Sequence, residues 1–353
     1  MPVLLLKKKR KVSRNEKGYQ IGVVGAGSWG TTLAGLLAGN GYSVHLWSYE
    51  TEIAEEIRKD RENKIFLPGV SLSQSIEPTT QLSEVVHQKD MLILAIPSHF
   101  FRDVMNQMLS SHSLAKKDCL WISATKGIEN DSLLTMSGIL KELLAPEYHP
   151  FIGCLSGPSF AKEVSLQFPT AITLAAVSAK TAAKAQRFLS NSYFRVYTNS
   201  DLNGVELGGA LKNVIALAAG ISDGLGLGHN TRAALITRGL TEISRLGVKM
   251  GAQKETFFGL TGIGDLVLTC TGDLSRNRTV GLRLGQGEKL PAILSTMTMI
   301  AEGIKTTRAA YQLSIREQIE MPIVSQIYGI LFEDRDPRQA VKELMTRDLK
   351  AEG

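Results

Sequence analysis

Residues 19–30 read YQIGVVGAGSWG, a short apolar run followed by three glycines. The apolar run is typical of a parallel strand that is buried on both faces. Gly25, Gly27 and Gly30 have GxGxxG spacing, and an alanine- and leucine-rich helix to about residue 39 follows them. In this pattern Gly25 permits the tight turn, Gly27 lets a pyrophosphate approach the backbone, and Gly30 lets helix and strand pack closely. The strand before and the helix after predict a dinucleotide-binding unit whose helix N-terminus faces the phosphates.

The end of the second strand bears on which nicotinamide cofactor is used. In NAD-binding units an acidic residue there, about twenty residues after the glycines, binds the ribose 2′-hydroxyl. The strand is predicted over Ser43–Trp47, and Ser48 and Tyr49 follow before the first acid, Glu50. Because the carboxylate comes two or three residues late, the main repulsion against a 2′-phosphate is missing. We therefore expect use of NADP, or of both NADP and NAD.

Strand-like and helix-like segments alternate up to about residue 198, which predicts an α/β domain with a doubly wound, mostly parallel sheet over residues 19–200. Residues 63–80, which contain Pro68 and Pro78, are predicted as a polar loop. Ser159 is predicted to cap the helix that follows it. The predicted strands cover residues 19–24, 43–47, 90–96, 120–124, 151–155, 171–177 and 194–198.

Helix-like segments follow one another in the second part of the chain, and no strand-length alternating run is evident there. This predicts an all-helical domain over residues 201–353. Residues 221–230, ISDGLGLGHN, are predicted as a flexible connection because they contain three glycines. The predicted helices cover residues 205–219, 231–246, 264–269, a segment from 283 onwards, 306–315, 324–332 and 338–344.

Residues 205–220, VELGGALKNVIALAAG, form the central helix-like stretch of the chain. Each glycine inside a helix costs about 1 kcal/mol relative to alanine, so the pair Gly208 and Gly209 indicates that something large approaches that face. The candidates are another helix or a bound cofactor. Lys212 follows directly, and we place it at the centre of the predicted active site.

The formal net charge of +6 is concentrated at one end of the chain. Residues 1–18 carry seven basic side chains against Glu16, which accounts for the whole excess. The neutral remainder provides no broad electrostatic surface for nucleic acid, so no nucleic-acid partner is expected. Residues 1–18 are predicted to be a solvated, disordered basic tail in preference to a nuclear-import signal, which the run KKKRKV at 7–12 also resembles.

The cysteines and histidines indicate the compartment and the chemistry. Cys119, Cys154 and Cys270 are far apart and no CxxC occurs, which favours free thiols in a reducing cytoplasm. The six histidines form neither HxH nor HExxH, so no metal site is expected and alcohol chemistry would need a protein base. No apolar run reaches the roughly 18 residues of a membrane span, so no span is expected.

A polar cluster near residue 270 completes the candidate site. Asp265 and Thr269 are four residues apart and are therefore expected on one helix face. Arg276 offers a planar fork suited to phosphate, and its neighbours Ser275 and Asn277 add neutral donors. The cluster indicates a substrate that carries a phosphate group.

Together these features fit hydride transfer to a phosphorylated ketone, in which the protein orients the substrate and handles a proton. A lysine can do this if its pKa falls from about 10.4 towards neutrality. Desolvation and a second nearby cation both lower a lysine pKa, so Lys126 and Lys212 would assist each other if they face one another. The alternative, that both lysines merely bind phosphate, stays open.

Six motifs together resemble the bacterial-type NAD(P)-dependent glycerol-3-phosphate dehydrogenase family, in one order from about residue 20 to about residue 344. They are GAGSWG at 25–30, ATKGIE at 124–129, SGPSFAKE at 156–163, VELGGALKNVIALAAG at 205–220, GLTGIGDLVLTCTGDLSRNR at 259–278 and AEGI at 301–304.

This resemblance implies reduction of dihydroxyacetone phosphate to sn-glycerol 3-phosphate, the precursor of glycerophospholipids, by a cytoplasmic enzyme without a metal. It implies a Rossmann-type domain followed by an all-helical domain like that of 6-phosphogluconate dehydrogenase, and Lys212 as proton donor and acceptor. A homodimer is expected because such helical domains often pair with a second copy. The implied substrate contacts are Lys126, Gly157, Ser159, Lys212, Asp265, Ser275, Arg276 and Asn277, with Thr269 as a helper. The expected cofactor contacts are Gly25, Gly27, Ser28, Trp29, Gly30, Tyr49, Lys126, Ala161, Arg276, Ile300 and Glu302.

The sequence departs from the family pattern at two places. The basic tail lies outside it, and Tyr49 stands where some members have histidine, so the weak preference expected for NADPH stays open. Two other functions compete with this one. A related two-domain reductase of β-hydroxy acids shares the glycine motif and a lysine in the helical domain, and a cofactor-binding sensor would bind without turnover.

Overall fold

The computed structural model describes residues 18–111, 115–297, 301–349 and 351–352. All of the predicted basic tail except Gly18, and the predicted cofactor contact Ile300, lie outside these residues. The internal contacts of the chain divide it into two units. Unit 1 extends to Thr125 and resumes over Met136–Val205, whereas unit 2 comprises Lys126–Thr135 and the chain from Glu206 onwards.

Eight strands form a single sheet in unit 1. They are β1 (Gln20–Val24), β2 (Ser43–Trp47), β3 (Ile76–Thr79), β4 (Met91–Leu94), β5 (Leu120–Ser123), β6 (Ile152–Ser156), β7 (Thr170–Ala176) and β8 (Phe194–Asn199). The strand order is β3-β2-β1-β4-β5-β6-β7-β8, and the only antiparallel neighbours among the described strands are β6 and β7. The first six strands have the order of a Rossmann fold, which confirms the predicted fold class.

Helices connect these strands. They are α1 (Ser28–Gly39), α2 (Thr51–Asp60), α3 (Leu82–Val86), α4 (Phe101–Ser110), α5 (Met136–Leu143), α6 (Ala161–Ser165) and α7 (Ala179–Leu189), with short 3-10 turns at Ser98–Phe100 and Pro146–Phe151. Every residue of the central strands β4, β5 and β6 is buried. Both faces of these strands are therefore covered, as their continuous apolar sequences require.

The prediction of a polar loop over residues 63–80 is wrong at its end, where β3 forms. Pro78 lies inside this strand, because β3 is at the sheet edge and needs to pair with β2 alone. The Pro78 carbonyl oxygen accepts a hydrogen bond from Arg58 at 2.8 Å, and Ile76 is fully buried. Pro78 therefore hid this strand in the sequence, although Ile76, Pro78 and Thr79 are all buried in it.

Unit 2 is helical. Its helices are α8 (Leu202–Gly224, which begins in unit 1), α9 (Gly228–Lys249), α10 (Asp265–Thr271), α11 (Arg276–Gly285), α12 (Leu290–Ser295), α13 (Glu302–Arg316), α14 (Pro322–Phe332) and α15 (Pro337–Met345). A 3-10 turn at Lys254–Phe258 and a π-helical turn at Leu260–Gly264 precede α10. Helix α8 runs through the core, where its residues from 205 to 222 are all buried.

The prediction of a flexible connection over residues 221–230 is wrong in extent. Helix α8 continues to Gly224 and α9 begins at Gly228, so three residues connect them. A Cβ on Gly224 would lie 2.2 Å from the Leu282 carbonyl oxygen of α11, and one on Gly285 would lie 2.4 Å from the Ile221 carbonyl oxygen. These glycines let two helix backbones touch, which is a packing role and not a turn.

Helix α11 begins at Arg276, seven residues before the predicted start at 283. The hydroxyl oxygen of Ser275 accepts the Arg278 backbone N–H at 3.2 Å and so caps the helix. The cluster SRNR is therefore the cap and first turn of a helix, which matters for the site described next.

One helix of the described chain, Leu202–Gly224, has the length and apolar composition that could cross a membrane, but the 18-residue stretch of it that meets this criterion is wholly buried in the protein, as the core helix of a folded domain would be.

Candidate active site

The glycine loop of unit 1 has the shape of a phosphate cradle. Gly25 has φ +114, and a Cβ there would lie 2.5 Å from the Ala95 carbonyl oxygen. A Cβ on Gly30 would lie 1.8 Å from the Gly25 carbonyl oxygen, so both positions require glycine. Gly27, the N-cap of α1, faces open space and makes no side-chain cap. The first turn of α1, with Ser28 and Trp29, therefore presents backbone N–H groups in a setting that suits a pyrophosphate.

A residue that the sequence analysis missed holds this loop in place. Asn63 is fully buried and donates to the Ala26 carbonyl oxygen at 2.7 Å and to the Thr31 hydroxyl at 3.0 Å. Thr31 in turn donates to the same Ala26 carbonyl at 3.1 Å. The sequence offers no signal for this contact, since Asn63 lies 37 residues from Ala26 in a segment of irregular composition.

The turn after β6 lies beside the start of α1. Thr32 donates to the Ala161 carbonyl oxygen at 3.2 Å, which places Ala161 next to the glycine loop. Gly157 has φ +145, a conformation that favours glycine. The prediction that Ser159 caps α6 is wrong: Phe160 occupies the N-cap position, and the Ser159 hydroxyl donates to the Gly157 carbonyl oxygen at 3.0 Å.

Past the end of β2, Tyr49 is 78% exposed and Glu50 is the N-cap residue of α2. The Ser48 hydroxyl donates to the Glu50 carboxylate at 3.3 Å. This contact holds the Glu50 carboxylate close to the end of β2, although Glu50 lies three residues beyond the strand.

In unit 2, one carboxylate binds two lysines. Asp265 is 1% exposed, and its Oδ2 lies 2.7 Å from Lys126 Nζ while its Oδ1 bonds Lys212 Nζ. Lys212 also donates to the Thr269 hydroxyl at 2.6 Å, and that hydroxyl donates to the Asp265 carbonyl oxygen at 2.6 Å. Asp265 and Thr269 thus share a face of α10. Lys126 reaches Asp265 from the segment 126–135, which belongs to unit 2.

Burial lowers the pKa of Lys212 to about 7, although the Asp265 charge raises it; the Lys126 charge adds to the lowering. An ammonium with a pKa near neutrality can donate or accept a proton under ordinary conditions. The group is 6% exposed, so water competes little for that proton.

The helix backbone around Lys212 is tightly packed. A Cβ on Gly208 would lie 3.0 Å from the carbonyl oxygen of Thr261 in the π-helical turn. Backbone of the neighbouring helical turn therefore packs against α8 at Gly208. Of the two candidates for this position, another helix and a bound cofactor, the structure has helical backbone there. The π-helical turn ends at Gly264 and passes directly into Asp265, and such turns are frequent at functional sites.

The start of α11 gathers the predicted phosphate contacts. Ser275 caps the helix, and burial lowers the pKa of Arg276, a change that the charge of Glu302 opposes. The side-chain amide of Asn277 donates to Asn213 Oδ1 at 3.0 Å and accepts the Gly303 N–H at 2.9 Å. A helix N-terminus with an accessible guanidinium in its first turn is suited to hold a phosphate.

The two arginines of SRNR have different surroundings. Arg278 bonds Asp223 at 2.9 Å and Asp273 at 3.0 Å, so acidic side chains neutralise it. Arg276 is the one beside Glu302 and Asn277. The sequence analysis did not name Asn213, which adjoins Lys212 in the motif at 205–220.

No group of three His, Cys, Asp or Glu side chains that could hold a metal ion occurs within residues 18–111, 115–297, 301–349 and 351–352. The predicted contact Ile300 lies outside the described residues.

Comparison with known proteins gives the family. The N-terminal model of NAD-dependent glycerol-3-phosphate dehydrogenase matches residues 20–182, and its C-terminal model matches residues 201–342. A glycerol-3-phosphate dehydrogenase [NAD(P)+] of Geobacter sulfurreducens is 57% identical over 333 residues, covering 94% of this chain and 98% of the relative. The corresponding protein of Syntrophobacter fumaroxidans is 56% identical, with coverages of 95% and 98%.

Solved structures agree. The crystal structure of glycerol-3-phosphate dehydrogenase from Coxiella burnetii has a TM-score of 0.87 at 40% identity, covering 94% of this chain and all of that one. The yeast glycerol-3-phosphate dehydrogenase has a TM-score of 0.77 at 26% identity, with coverages of 93% and 99%. The glycine loop, the helical second unit and the match along both halves lead to one conclusion: the chain belongs to the NAD-dependent glycerol-3-phosphate dehydrogenase family and is an NAD(P)-dependent oxidoreductase.

Proposed function

We propose that the chain interconverts dihydroxyacetone phosphate and sn-glycerol 3-phosphate, with Lys212 as the proton donor and acceptor. The bound nicotinamide supplies or accepts the hydride, which is chemistry of the cofactor. The protein has to place the ketone, bind its phosphate and exchange one proton with the reacting oxygen.

The observation that carries this proposal is the buried Lys212, whose pKa lies near 7 beside Asp265. In the reducing direction the ammonium donates a proton to the ketone oxygen as negative charge develops there. In the oxidising direction the neutral amine takes the hydroxyl proton. Thr269 accepts one N–H of Lys212 and so helps to fix its orientation, and Lys126 supplies a second donor held by the same carboxylate.

We propose that the substrate phosphate is bound at the start of α11. Ser275 accepts a backbone N–H, and no acceptor among the described residues takes its hydroxyl proton, so that proton can go to a phosphate oxygen. Arg276 offers a charged fork and Asn277 a further amide N–H. Gly157 and Ser159, in the turn after β6, complete the set of proposed substrate contacts.

We propose that residues 19–200 form the cofactor domain and residues 201–353 the substrate and catalytic domain. Support for the first comes from the cradle at Gly25, Gly27 and Gly30. The proposed cofactor contacts from both domains are Ser28, Trp29, Tyr49, Lys126, Ala161, Arg276, Ile300, Glu302 and the three glycines.

We further propose that both NADPH and NADH serve as cofactors and that NADPH is the faster. The reason is that no acid directly follows β2. The contact between Ser48 and Glu50 opposes this preference, which makes the ratio of rates informative.

The proposed setting is a cytoplasmic homodimer that supplies glycerophospholipid synthesis. Among the described residues, Cys119, Cys154 and Cys270 are buried and form no disulfide bond, which suits a reducing compartment. Light scattering coupled to size-exclusion chromatography tests the dimer, because a mass of one chain would contradict it.

The decisive experiment follows the absorbance of NADPH or NADH after addition of dihydroxyacetone phosphate. We expect both cofactors to be oxidised and sn-glycerol 3-phosphate to form. A protein that is folded and binds cofactor but oxidises neither one with this substrate would contradict the proposed reaction. Dihydroxyacetone without phosphate serves as the control, and its loss of rate measures the contribution of the phosphate site.

A further inference from the structure

The π-helical turn at Leu260–Gly264 ends directly before Asp265, the carboxylate that binds both lysines. The Asp265 N–H donates to the carbonyl oxygens of Leu260 and Gly262 inside the turn. π-helical turns are rare and occur mostly as single turns, frequently at functional sites. The position of the carboxylate therefore depends on how this turn is held, and two glycines are decisive for that.

Gly262 lets the π-helical turn fold closely against the 3-10 turn before it. A Cβ on Gly262 would lie 1.9 Å from the Phe257 carbonyl oxygen, so a side chain there would force the backbone to move. Phe257 is itself fully buried, and its ring occupies the space in front of Gly247 of α9, where a Cβ would lie 2.2 Å from Cζ. The π-helical turn is thus packed against a residue that α9 holds in place.

Gly208 sets the distance between the π-helical turn and α8. A Cβ on Gly208 would lie 3.0 Å from the Thr261 carbonyl oxygen, so alanine would push the two backbones apart by a few tenths of an ångström. Gly208 is four residues before Lys212, and Thr261 is four residues before Asp265. Because residues four apart lie on the same side of a helix, this backbone contact is about one turn away from the contact between Lys212 and Asp265.

We propose that Gly208 and Gly262 are positioning residues that set how closely the Asp265 carboxylate approaches Lys212. The inference rests on the proposed role of Lys212 in proton transfer. Both glycines act through the backbones that carry the two reacting side chains. A single methyl group added at either position should therefore change the contact that the proton donor makes.

The charges around Lys212 make this change measurable. Burial lowers the pKa of Lys212, the Asp265 charge raises it, and the Lys126 charge adds to the lowering. The thiol of Cys270, also on α10, is neutral because burial raises its pKa to about 12. Moving the carboxylate away weakens the influence that raises the pKa of Lys212 and leaves burial in place, so this pKa should fall.

The test measures the pKa of Lys212 in the full chain by ¹³C NMR of protein labelled at the lysine Cε atoms. The signal of Lys212 is the one that the Lys212→Ala protein lacks. In Gly208→Ala we expect the pKa to fall by about half a unit, which is part of the roughly one to three units that a close opposite charge contributes. Alanine favours a helix over glycine, so this variant should stay folded. An unchanged pKa in Gly208→Ala would overturn the proposal.

Gly262→Ala is the stronger variant, because its Cβ would meet the Phe257 carbonyl oxygen more closely than the Gly208 Cβ meets that of Thr261. We expect the pKa of Lys212 to fall in Gly262→Ala at least as far as in Gly208→Ala. A rise of the pKa in Gly262→Ala would contradict the direction that the proposal requires. Gly208→Ala decides the question if the stronger variant does not fold.

Gly281→Ala is the matched control. Its Cβ would lie 2.2 Å from the Leu217 carbonyl oxygen, so it disturbs α8 at the contact with α11 and not at the π-helical turn. The pKa of Lys212 should be the same in Gly281→Ala as in the unaltered protein, and an equal fall there would overturn the positioning role. Oxidation of NADPH with dihydroxyacetone phosphate tests the proposed function separately. Its absence would reject that function, while the NMR titration still decides the role of the glycines.

Discussion

At Lys212, burial, one carboxylate and one further ammonium act on a single titrating group. Burial and the charge of Lys126 favour the neutral amine, whereas Asp265 favours the charged form. Because the pKa falls to about 7, burial outweighs the carboxylate. The two charges belong to different side chains, Asp265 and Lys126, and can therefore be changed separately.

The first prediction concerns the proton donor itself. Lys212→Ala should lower kcat by about 10²–10⁴-fold, the usual contribution of a positioned acid or base, while the Kd for NADPH changes little. Stopped-flow absorbance gives kcat, and cofactor fluorescence gives Kd. Lys117→Ala, which removes an exposed lysine, is the matched control and should retain the activity of the unaltered enzyme. A Lys212→Ala enzyme with normal turnover would remove this residue from the mechanism.

The second prediction concerns pH. Oxidation of sn-glycerol 3-phosphate needs the neutral amine, so kcat should rise with pH through an apparent pKa near 7. Asp265→Asn removes the charge that raises this pKa, so the rise should move to lower pH. Lys126→Met removes a charge that lowers it, so the rise should move to higher pH. Shifts in the same direction in both variants, or no shift in either, would contradict the assignment of the titrating group to Lys212.

Sequence patterns identified these residues only as candidates. The spacing of Asp265 and Thr269 predicted a shared helix face, but spacing cannot show that Asp265 holds two lysines 139 and 53 residues away. Nor does SRNR show which arginine is neutralised, because that depends on Asp223 from another helix.

The contact between helices α8 and α11 shows that a glycine near a helix end can serve close helix packing as well as a turn. Gly220 and Gly224 face Gly281 and Gly285, and their missing side chains let the two backbones meet. From sequence alone, glycines near a helix end indicate a turn, and this is why the connection over 221–230 was predicted too long. Each of these glycines meets its partner 61 residues further along the chain, Gly220 with Gly281 and Gly224 with Gly285, and only the folded structure shows this pairing.

The third prediction tests this contact. A Cβ on Gly281 would lie 2.2 Å from the Leu217 carbonyl oxygen, so Gly281→Ala should lower the free energy of unfolding by about 1–3 kcal/mol through overpacking. Gly35 lies inside α1 and has nothing within 4 Å of a built Cβ. Gly35→Ala should therefore raise that free energy by up to about 1 kcal/mol. Urea denaturation measures both, and equal effects of the two changes would argue against the close contact.

For the whole molecule, the alternation of strands and helices predicted the α/β unit and the later run of helices, and both are confirmed. What escaped prediction was β3, because its proline is tolerated only where the strand is at an edge, and edge position is a property of the assembled sheet. The buried role of Asn63 escaped for a similar reason, since its partners come from a distant turn.

The fourth prediction concerns the start of the chain. The family match begins at residue 20, so removal of residues 1–17 should leave kcat/KM for dihydroxyacetone phosphate within about twofold of the full chain, because no active-site group is lost. Removal of residues 1–24, which deletes β1 from the middle of the sheet, is the contrasting variant and should abolish folding. A large loss of activity in the shorter deletion would assign the basic residues a catalytic or binding role.

The path of residues 126–135 has a consequence for recombination between relatives. This segment lies in the first half of the sequence, yet its contacts place it in unit 2, where Lys126 meets Asp265. A hybrid gene joined near codon 200 would therefore take Lys126 from one parent and Lys212 and Asp265 from the other. Such hybrids should be active only when the residues 126–135 of one parent can pack against the helical unit of the other. The part of the gene that encodes the Lys126, Lys212 and Asp265 site is therefore not one continuous stretch.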